Sequence, residues 1–255
     1  MKGVVLCGGL GTRLGLITQR VTNKHCLPVY NTPMIIYPLR TLVKAGITDI
    51  CIVTGGRYKG HILDLLGNGK EFGINYLTYE FQYGEGGIAE ALSLCERFVE
   101  SDNCCVILGD NVFETFDLKS IVNEFDKQNE PEVAMRIKTK PPKANLFLTN
   151  VKDPQRFGIA EIKNNKIINI EEKPAIPKTD LAVTGLYMYD NNVFDFIREI
   201  KPSQRNELEV TDLNNLYKER GKLSYTILNT FWSDAGTPDS LLSCSEWVKE
   251  KNKNA

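Results

Sequence analysis

The residues Gly8-Gly9-Leu10-Gly11-Thr12-Arg13 are the first in this chain whose types and order could do chemistry. Glycines in such a run let backbone N–H groups turn toward a ligand with no side chains in the way, which makes a concave anion-binding nest. Arg13 adds a planar guanidinium whose fork fits phosphate oxygens. The loop therefore predicts a phosphate cradle. A tight glycine turn beside a surface arginine is the plainer alternative from these residues alone. Two common phosphate motifs are absent. The dinucleotide fingerprint needs glycine where Leu14 stands, which argues against an NAD-dependent oxidoreductase, and there is no Gly-Lys-Ser/Thr of a P-loop.

The elements around this loop alternate. Lys2–Cys7 is a short apolar run ending in glycines, as expected of a strand buried on both faces. Pro33 is expected to open a helix that Gly46 closes. Strands follow near Asp49–Thr54 and Ile74–Thr78, with a short helix near His61–Leu66 between them. Helical spacing then runs over Ile88–Val99, and Asn103–Leu108 is another buried strand, leading into Gly109-Asp110-Asn111. This βα alternation predicts an α/β fold with a Rossmann-like, doubly wound mixed sheet, in which ligands sit at the carboxyl ends of strands. Gly8–Arg13 and Gly109–Asn111 both lie at such ends.

The second half is less regular. Strands are expected near 132–137, 157–162, 166–170 and 182–189, with helices over 192–200 and 211–220 and a hairpin turn at Asn164-Asn165. We read residues 1–250 as a single domain, with a first part about 1–115 and a less regular second lobe about 116–250. The polar residues 249–255 are expected to fray, with 251–255 as a tail.

Composition excludes several classes. The chain has 255 residues, 42% of them hydrophobic and 25% charged, with a formal net charge of −1. That balance predicts no nucleic-acid or membrane partner. No secretory or membrane-spanning segment is legible, so a cytoplasmic location is expected. Seven cysteines without CxxC spacing read as small hydrophobes, and two histidines make a zinc site improbable.

Seven segments make the reading specific. GGLGTRL at 8–14, NKHCLPV at 23–29, PMIIYPL at 33–39, LGDN at 108–111, EEKP at 171–174, AVTGLYMYD at 182–190 and SDAGT at 233–237 resemble the sugar-1-phosphate nucleotidyltransferases, in the same order. Within that group the chain most resembles the short form of the glucose-1-phosphate thymidylyltransferases. The resemblance covers nearly the whole chain. It implies a GT-A-like fold and a Mg²⁺-dependent reaction of dTTP with glucose 1-phosphate, giving dTDP-glucose and pyrophosphate for deoxysugar and polysaccharide synthesis. It also implies a homo-oligomer, dimer or tetramer.

It further implies residue roles. Lys24 and Arg13 match the catalytic cations; such transfers depend on positioning and charge stabilisation more than on covalent help. Leu6, Gly8, Gly9, Gly11, Thr12, Gln82, Gly87 and Asp110 match nucleotide-binding positions, with Gln82 reading the pyrimidine edge through an amide that both donates and accepts. Asn111, Gly158, Glu172, Lys173, Val183 and Tyr187 match the sugar-phosphate pocket, which Trp232 could also line. Asp110 and Asp234 match the Mg²⁺ ligands. Each would otherwise read as an aspartate in a turn.

Two departures stand out. Lys138–Val151 is longer than expected of the family and by default reads as an inert insertion, and Cys7 stands where many relatives carry alanine. Two alternatives stay open: an enzyme using UTP or CTP, and a nucleotide-sugar-binding protein without catalysis. Lys24, Asp110, Asp234 and Arg13 argue against the second.

Overall fold

Along the chain the strands are β1 (Lys2–Cys7), β2 (Pro28–Val29), β3 (Thr32–Pro33), β4 (Asp49–Gly55), β5 (Tyr76–Gln82), β6 (Cys104–Leu108) and β7 (Asn111–Phe113). They continue as β8 (Ala144–Asn150), β9 (Gly158–Lys163), β10 (Lys166–Glu172), β11 (Leu181–Tyr189), β12 (Leu223–Ile227) and β13 (Trp232–Asp234). This is a computed structural model, and it describes residues 1–9, 11–128 and 143–253. The strand expected over 132–137 lies outside the described residues.

The chain forms two compact units that interleave in sequence. One takes Lys2–Glu85, Ile107–Leu118 and Thr230–Ala255; the other takes Gly86–Val106 and Lys119–Asn229, with Met1. The units therefore do not follow the division near residue 115.

In the first unit, β1, β4 and β5 are parallel neighbours. Val4, Val5, Ile50, Cys51, Ile52 and Val53 are fully buried, because a parallel strand covered on both faces cannot alternate polar with apolar. The strand expected at 74–78 lies at Tyr76–Gln82, which puts Gln82 at a strand end. The helix expected from Pro33 begins at Ile36, because Pro33 is drawn into the antiparallel pair with Pro28. Ile36, Leu39 and Leu42 form its buried face.

The tail is a correction. Pro238–Lys253 is a helix, and it takes in residues 249–253. Its few apolar residues are well placed: Cys244 and Val248 are buried, Trp247 stacks on Phe231 with centroids 4.0 Å apart, and Lys251 pairs with Glu114. Polar composition hid it, since one narrow stripe suffices to anchor a helix on a neighbouring core.

The second unit is mainly antiparallel. β9 and β10 form the expected hairpin, with Asn164 and Asn165 at φ 52 and 56 in its two-residue turn. β11 pairs β9 and β8, and β8 also pairs β12 in parallel. Antiparallel pairing without βα alternation is why this part reads as less regular in sequence. The 138–151 stretch needs correcting here. Residues 138–142 lie outside the described residues, but Ala144–Asn150 is a core strand rather than an inert insertion. Its buried polar residues are satisfied: Asn145 Nδ2 donates to Thr226 Oγ1 at 3.1 Å, and Thr149 Oγ1 donates to the Leu228 carbonyl at 3.2 Å. Among the described residues no helix is long and apolar enough to cross a membrane.

Candidate active site

Strand register brings the phosphate loop to a common edge with three other segments. Cys7 lies opposite Thr54 and Gly55 opposite Gln82, so Gly8, Gly55–Tyr58 and Gln82 all leave the parallel strands at their carboxyl ends. The Gly109 N–H donates to the Leu6 carbonyl at 2.9 Å and draws Gly109-Asp110-Asn111 to the same edge. A buried cluster supports this edge from below. It joins Leu14, Leu27, Val29, Met34, Val112, Ala235, Cys244 and Val248. Five of the seven quoted motifs are thus carried on or directly beside one core, at about 1.5–3 kcal/mol per buried Leu, Val or Met side chain.

Within the loop, Gly11 has φ 69, and its carbonyl accepts from Thr18 Oγ1 at 2.7 Å and from the Leu14 N–H at 2.9 Å. A Cβ on Gly8 would collide with the Gln82 amide oxygen. That oxygen ties the predicted base-reading residue directly to the predicted phosphate loop. The Lys24 side chain runs along Gly9 and Gly11, with its Nζ 3.7 Å from where a Cβ on Gly9 would stand. Leu6 is buried in β1, while Thr12 and Arg13 are exposed in the short 3₁₀ turn that follows Gly11. Leu10 lies outside the described residues.

Lys24 opens a 3₁₀ turn capped by Asn23, whose Oδ1 accepts from the His25 N–H at 3.0 Å and from His25 Nδ1 at 2.9 Å. Nδ1 therefore carries the ring proton. Burial, reinforced by the Lys24 cation, lowers the His25 pKa to about 3, so the imidazole is neutral near pH 7. Lys24 Nζ donates to Asp110 Oδ2 at 2.7 Å, and each side chain is only 11% exposed. Burial alone would raise the Asp110 pKa, but the charge and hydrogen bond of Lys24 and the donation from Asn111 Nδ2 at 2.9 Å hold it well below the usual carboxylate range.

Asp234 reaches this group through the pairing of β13 with β7, which sets it opposite Asn111. The Ala235 N–H donates to the Asp110 carbonyl at 2.8 Å, and Trp232 Nε1 donates to Asn111 Oδ1 at 2.7 Å. Asn111 thus spans Trp232 and Asp110. Gly236 lies at the centre of the charges. A Cβ there would stand 3.2 Å from Arg13 Nη2, 3.3 Å from Asp234 Oδ2 and 3.4 Å from Asp110 Oδ2. Among the described residues no three His, Cys, Asp or Glu side chains are grouped to hold a metal, but Mg²⁺ commonly takes only one or two carboxylates beside phosphate oxygens.

The second unit holds its own cluster. Gly158 lies opposite Glu172 across the hairpin. Thr211 Oγ1 donates to Glu172 Oε2 at 2.6 Å, while Lys173 Nζ and Arg205 Nη2 face Oε1 at 3.2 and 3.4 Å. Lys173 sits at φ 44, an uncommon left-handed conformation for a lysine. Val183 and Tyr187 are buried in β11, with the Tyr187 ring stacked on Tyr189 at 6.0 Å. Gly87, at φ 94, caps the helix Ile88–Ser93 and packs on the Leu208 backbone. Cysteine behaves as expected: six of seven are buried, and burial pushes the Cys104 and Cys244 thiols up to about 12.

Sequence reasoning passed over four residues. Gly236 was legible inside SDAGT but has no polar side chain to draw notice. Arg57 follows β4 through Gly55-Gly56, which repeats the strand, glycine and arginine order of Gly8–Arg13. Arg205 and Thr211 carry no local signal, since only the approach of distant segments brings them onto Glu172.

Charges gathered at the carboxyl edge of parallel strands, over a glycine loop, make an α/β site whose chemistry suits phosphate. The chain belongs to the nucleotidyl transferase family, whose profile matches residues 2–251. A glucose-1-phosphate thymidylyltransferase of Neisseria meningitidis serogroup A is 42% identical over 252 residues, covering 98% of this chain and 83% of its own. One from Mycolicibacterium smegmatis is 38% identical over 252 residues, covering 98% and 82%. A Bacillus anthracis crystal structure, described as a glucose-1-phosphate thymidylyltransferase in complex with a sucrose, is 48% identical with a TM-score of 0.87, covering 97% of this chain and 95% of its own. A UDP-glucose pyrophosphorylase crystallised with UDP-glucose, 22% identical with a TM-score of 0.80 and coverage of 98% of each chain, shares the fold.

Proposed function

We propose that this chain transfers a thymidylyl group from dTTP to glucose 1-phosphate, giving dTDP-glucose and pyrophosphate for deoxysugar and polysaccharide synthesis. The observation that carries the reading is the buried Lys24–Asp110 pair beside the glycine loop, in a chain whose relatives carry that activity in their names. A phosphate oxygen of the sugar attacks the α-phosphorus of dTTP. The bond from that phosphorus to the bridging oxygen breaks, and pyrophosphate leaves with the electron pair.

The chain's residues position and neutralise. Backbone N–H groups of Gly8, Gly9 and Gly11, with Leu6 and Thr12, cradle the nucleotide, and Arg13 and Lys24 meet charge that grows on the phosphates. Gln82 reads the base, held at the loop by its contact with Gly8; Gly87 allows the base to approach. Gly158, Glu172, Lys173, Val183, Tyr187 and Asn111 serve the sugar phosphate, with Glu172 on hydroxyls and Lys173 on phosphate. Asp110 and Asp234 fit a Mg²⁺ ion, since both carboxylates converge on one point beside Gly236 and a hard cation prefers oxygen. When bound, the ion would neutralise charge on the phosphate oxygens. We include in the proposal a cytoplasmic homo-oligomer, which sedimentation of the purified chain would check.

The test is pyrophosphate release with each of four nucleoside triphosphates against several sugar 1-phosphates, with and without Mg²⁺. The fastest release is expected from dTTP with glucose 1-phosphate, dependent on Mg²⁺. Faster release with UTP or CTP would move the nucleotide assignment, and no release with any pair would overturn the enzymatic reading.

A further inference from the structure

The cleft beside the glycine loop takes in a second segment. It is lined by Gly9, Thr12 and Lys24 and also by Gly55, Gly56, Arg57 and Tyr58 at the end of β4. The second segment leaves β4 as the glycine loop leaves β1, from neighbouring parallel strands. Arg57 is exposed, its guanidinium carbon lies 5.4 Å from the Tyr58 ring centroid, and among the described residues it pairs with no carboxylate. An arginine with no acidic partner among the described residues, beside an aromatic ring in a cleft that already holds a glycine loop and a lysine, is suited to a ligand anion. Gly56 has φ 71, and the helix Lys59–Leu66 begins directly after Tyr58 with no side-chain cap at its N-terminus.

We propose that Arg57 is a second phosphate-binding cation, which holds the pyrophosphate portion of the nucleoside triphosphate at the segment that follows β4. The inference rests on the nucleotidyl-transfer reading above and assigns the leaving group its own contact. Lys24 pairs with Asp110, and Arg13 meets Asp110 and Asp234 around Gly236, whereas Arg57 belongs to the segment that follows β4; in this proposal it meets only the departing group. Its contribution is therefore to binding of triphosphate and pyrophosphate, and not to recognition of a nucleoside monophosphate.

The experiment titrates inorganic pyrophosphate, dTTP and dTMP, each with Mg²⁺, into the whole chain and into Arg57→Ala and Arg57→Lys. Removal of a charged hydrogen-bond donor is expected to weaken pyrophosphate and dTTP roughly ten-fold or more, with dTMP unchanged and partial recovery in the lysine variant. Unchanged pyrophosphate affinity in Arg57→Ala would overturn the proposal. So would a wild-type chain that binds no pyrophosphate, or equal weakening of dTMP, which would mark a general disturbance of the loop. Wild-type turnover on the same preparation keeps the two readings apart: a chain that turns over normally but ignores Arg57→Ala refutes only the role of Arg57.

Discussion

The Lys24 ammonium stands 2.7 Å from Asp110 Oδ2, across 86 positions of sequence, with both side chains almost withdrawn from water. Neither charge is tolerable there without the other. The pair holds a cation at the glycine loop before any substrate arrives, and it holds Asp110 ionised.

Replacing Lys24 by Ala should lower turnover by roughly 10²–10³, the scale for losing one preorganised donor to the transition state. It also strands Asp110, so thermal unfolding should shift downward as well. Pyrophosphate release in the steady state measures the first effect and a melting curve the second. A variant that releases pyrophosphate at nearly the normal rate would remove Lys24 from the chemistry.

Gly236→Ala places a methyl group among Arg13, Asp110 and Asp234 at 3.2–3.4 Å. We expect at least a ten-fold loss of kcat and a higher Mg²⁺ requirement, with circular dichroism unchanged. Normal activity at low Mg²⁺ would show that the two carboxylates do not act at a common ion.

Gly8→Ala collides with the Gln82 amide oxygen. The amide must move, so the KM for dTTP should rise several-fold and discrimination against UTP and CTP should fall. Turnover of wild type and variant with each triphosphate reads both quantities. Unaltered discrimination would argue against base reading by Gln82.

Glu172→Gln keeps a partner for the Thr211 hydroxyl but removes the charge that Lys173 and Arg205 face. The KM for glucose 1-phosphate should rise about ten-fold while the KM for dTTP stays constant. Equal changes in both would place Glu172 outside the sugar pocket.

His25 supplies a pH dependence. Its pKa falls from 6.5 to about 3 on folding, so between those values the unfolded chain binds the proton and the folded chain does not. Stability therefore rises with pH across that window and is lost as pH falls below about 6.5. Denaturant unfolding at pH 7, 5.5 and 4 should show the decline, and His25→Gln should show less of it. An identical pH slope in the variant would exclude His25 as its source.

Much of this is legible in the amino-acid sequence. Continuous apolar runs ending in glycine identify β1, β4 and β6, because strands covered on both faces need no polar alternation. The strand–glycine–arginine order of Gly8–Arg13 marks a phosphate cradle, because only glycine frees the backbone N–H groups. Local composition could not show the helix Pro238–Lys253, whose narrow apolar stripe acquires meaning only against Phe231 and β2. Nor could it show that Ala144–Asn150 is a core strand, since Asn145 and Thr149 are acceptable there only because Thr226 and the Leu228 carbonyl pair with them.

The division is sharpest at the site. Residue types along the chain decide which chemistry is available: cations, carboxylates and a glycine loop suited to phosphate. Which of them meet is decided by long-range pairing. Asp234 comes beside Asp110 because β13 pairs with β7, and Gln82 lies over Gly8 because β5, β4 and β1 run parallel in register. Hydrogen bonds between strands have no counterpart in local sequence, so residues more than a hundred positions apart converge on Gly236 only once the fold has formed.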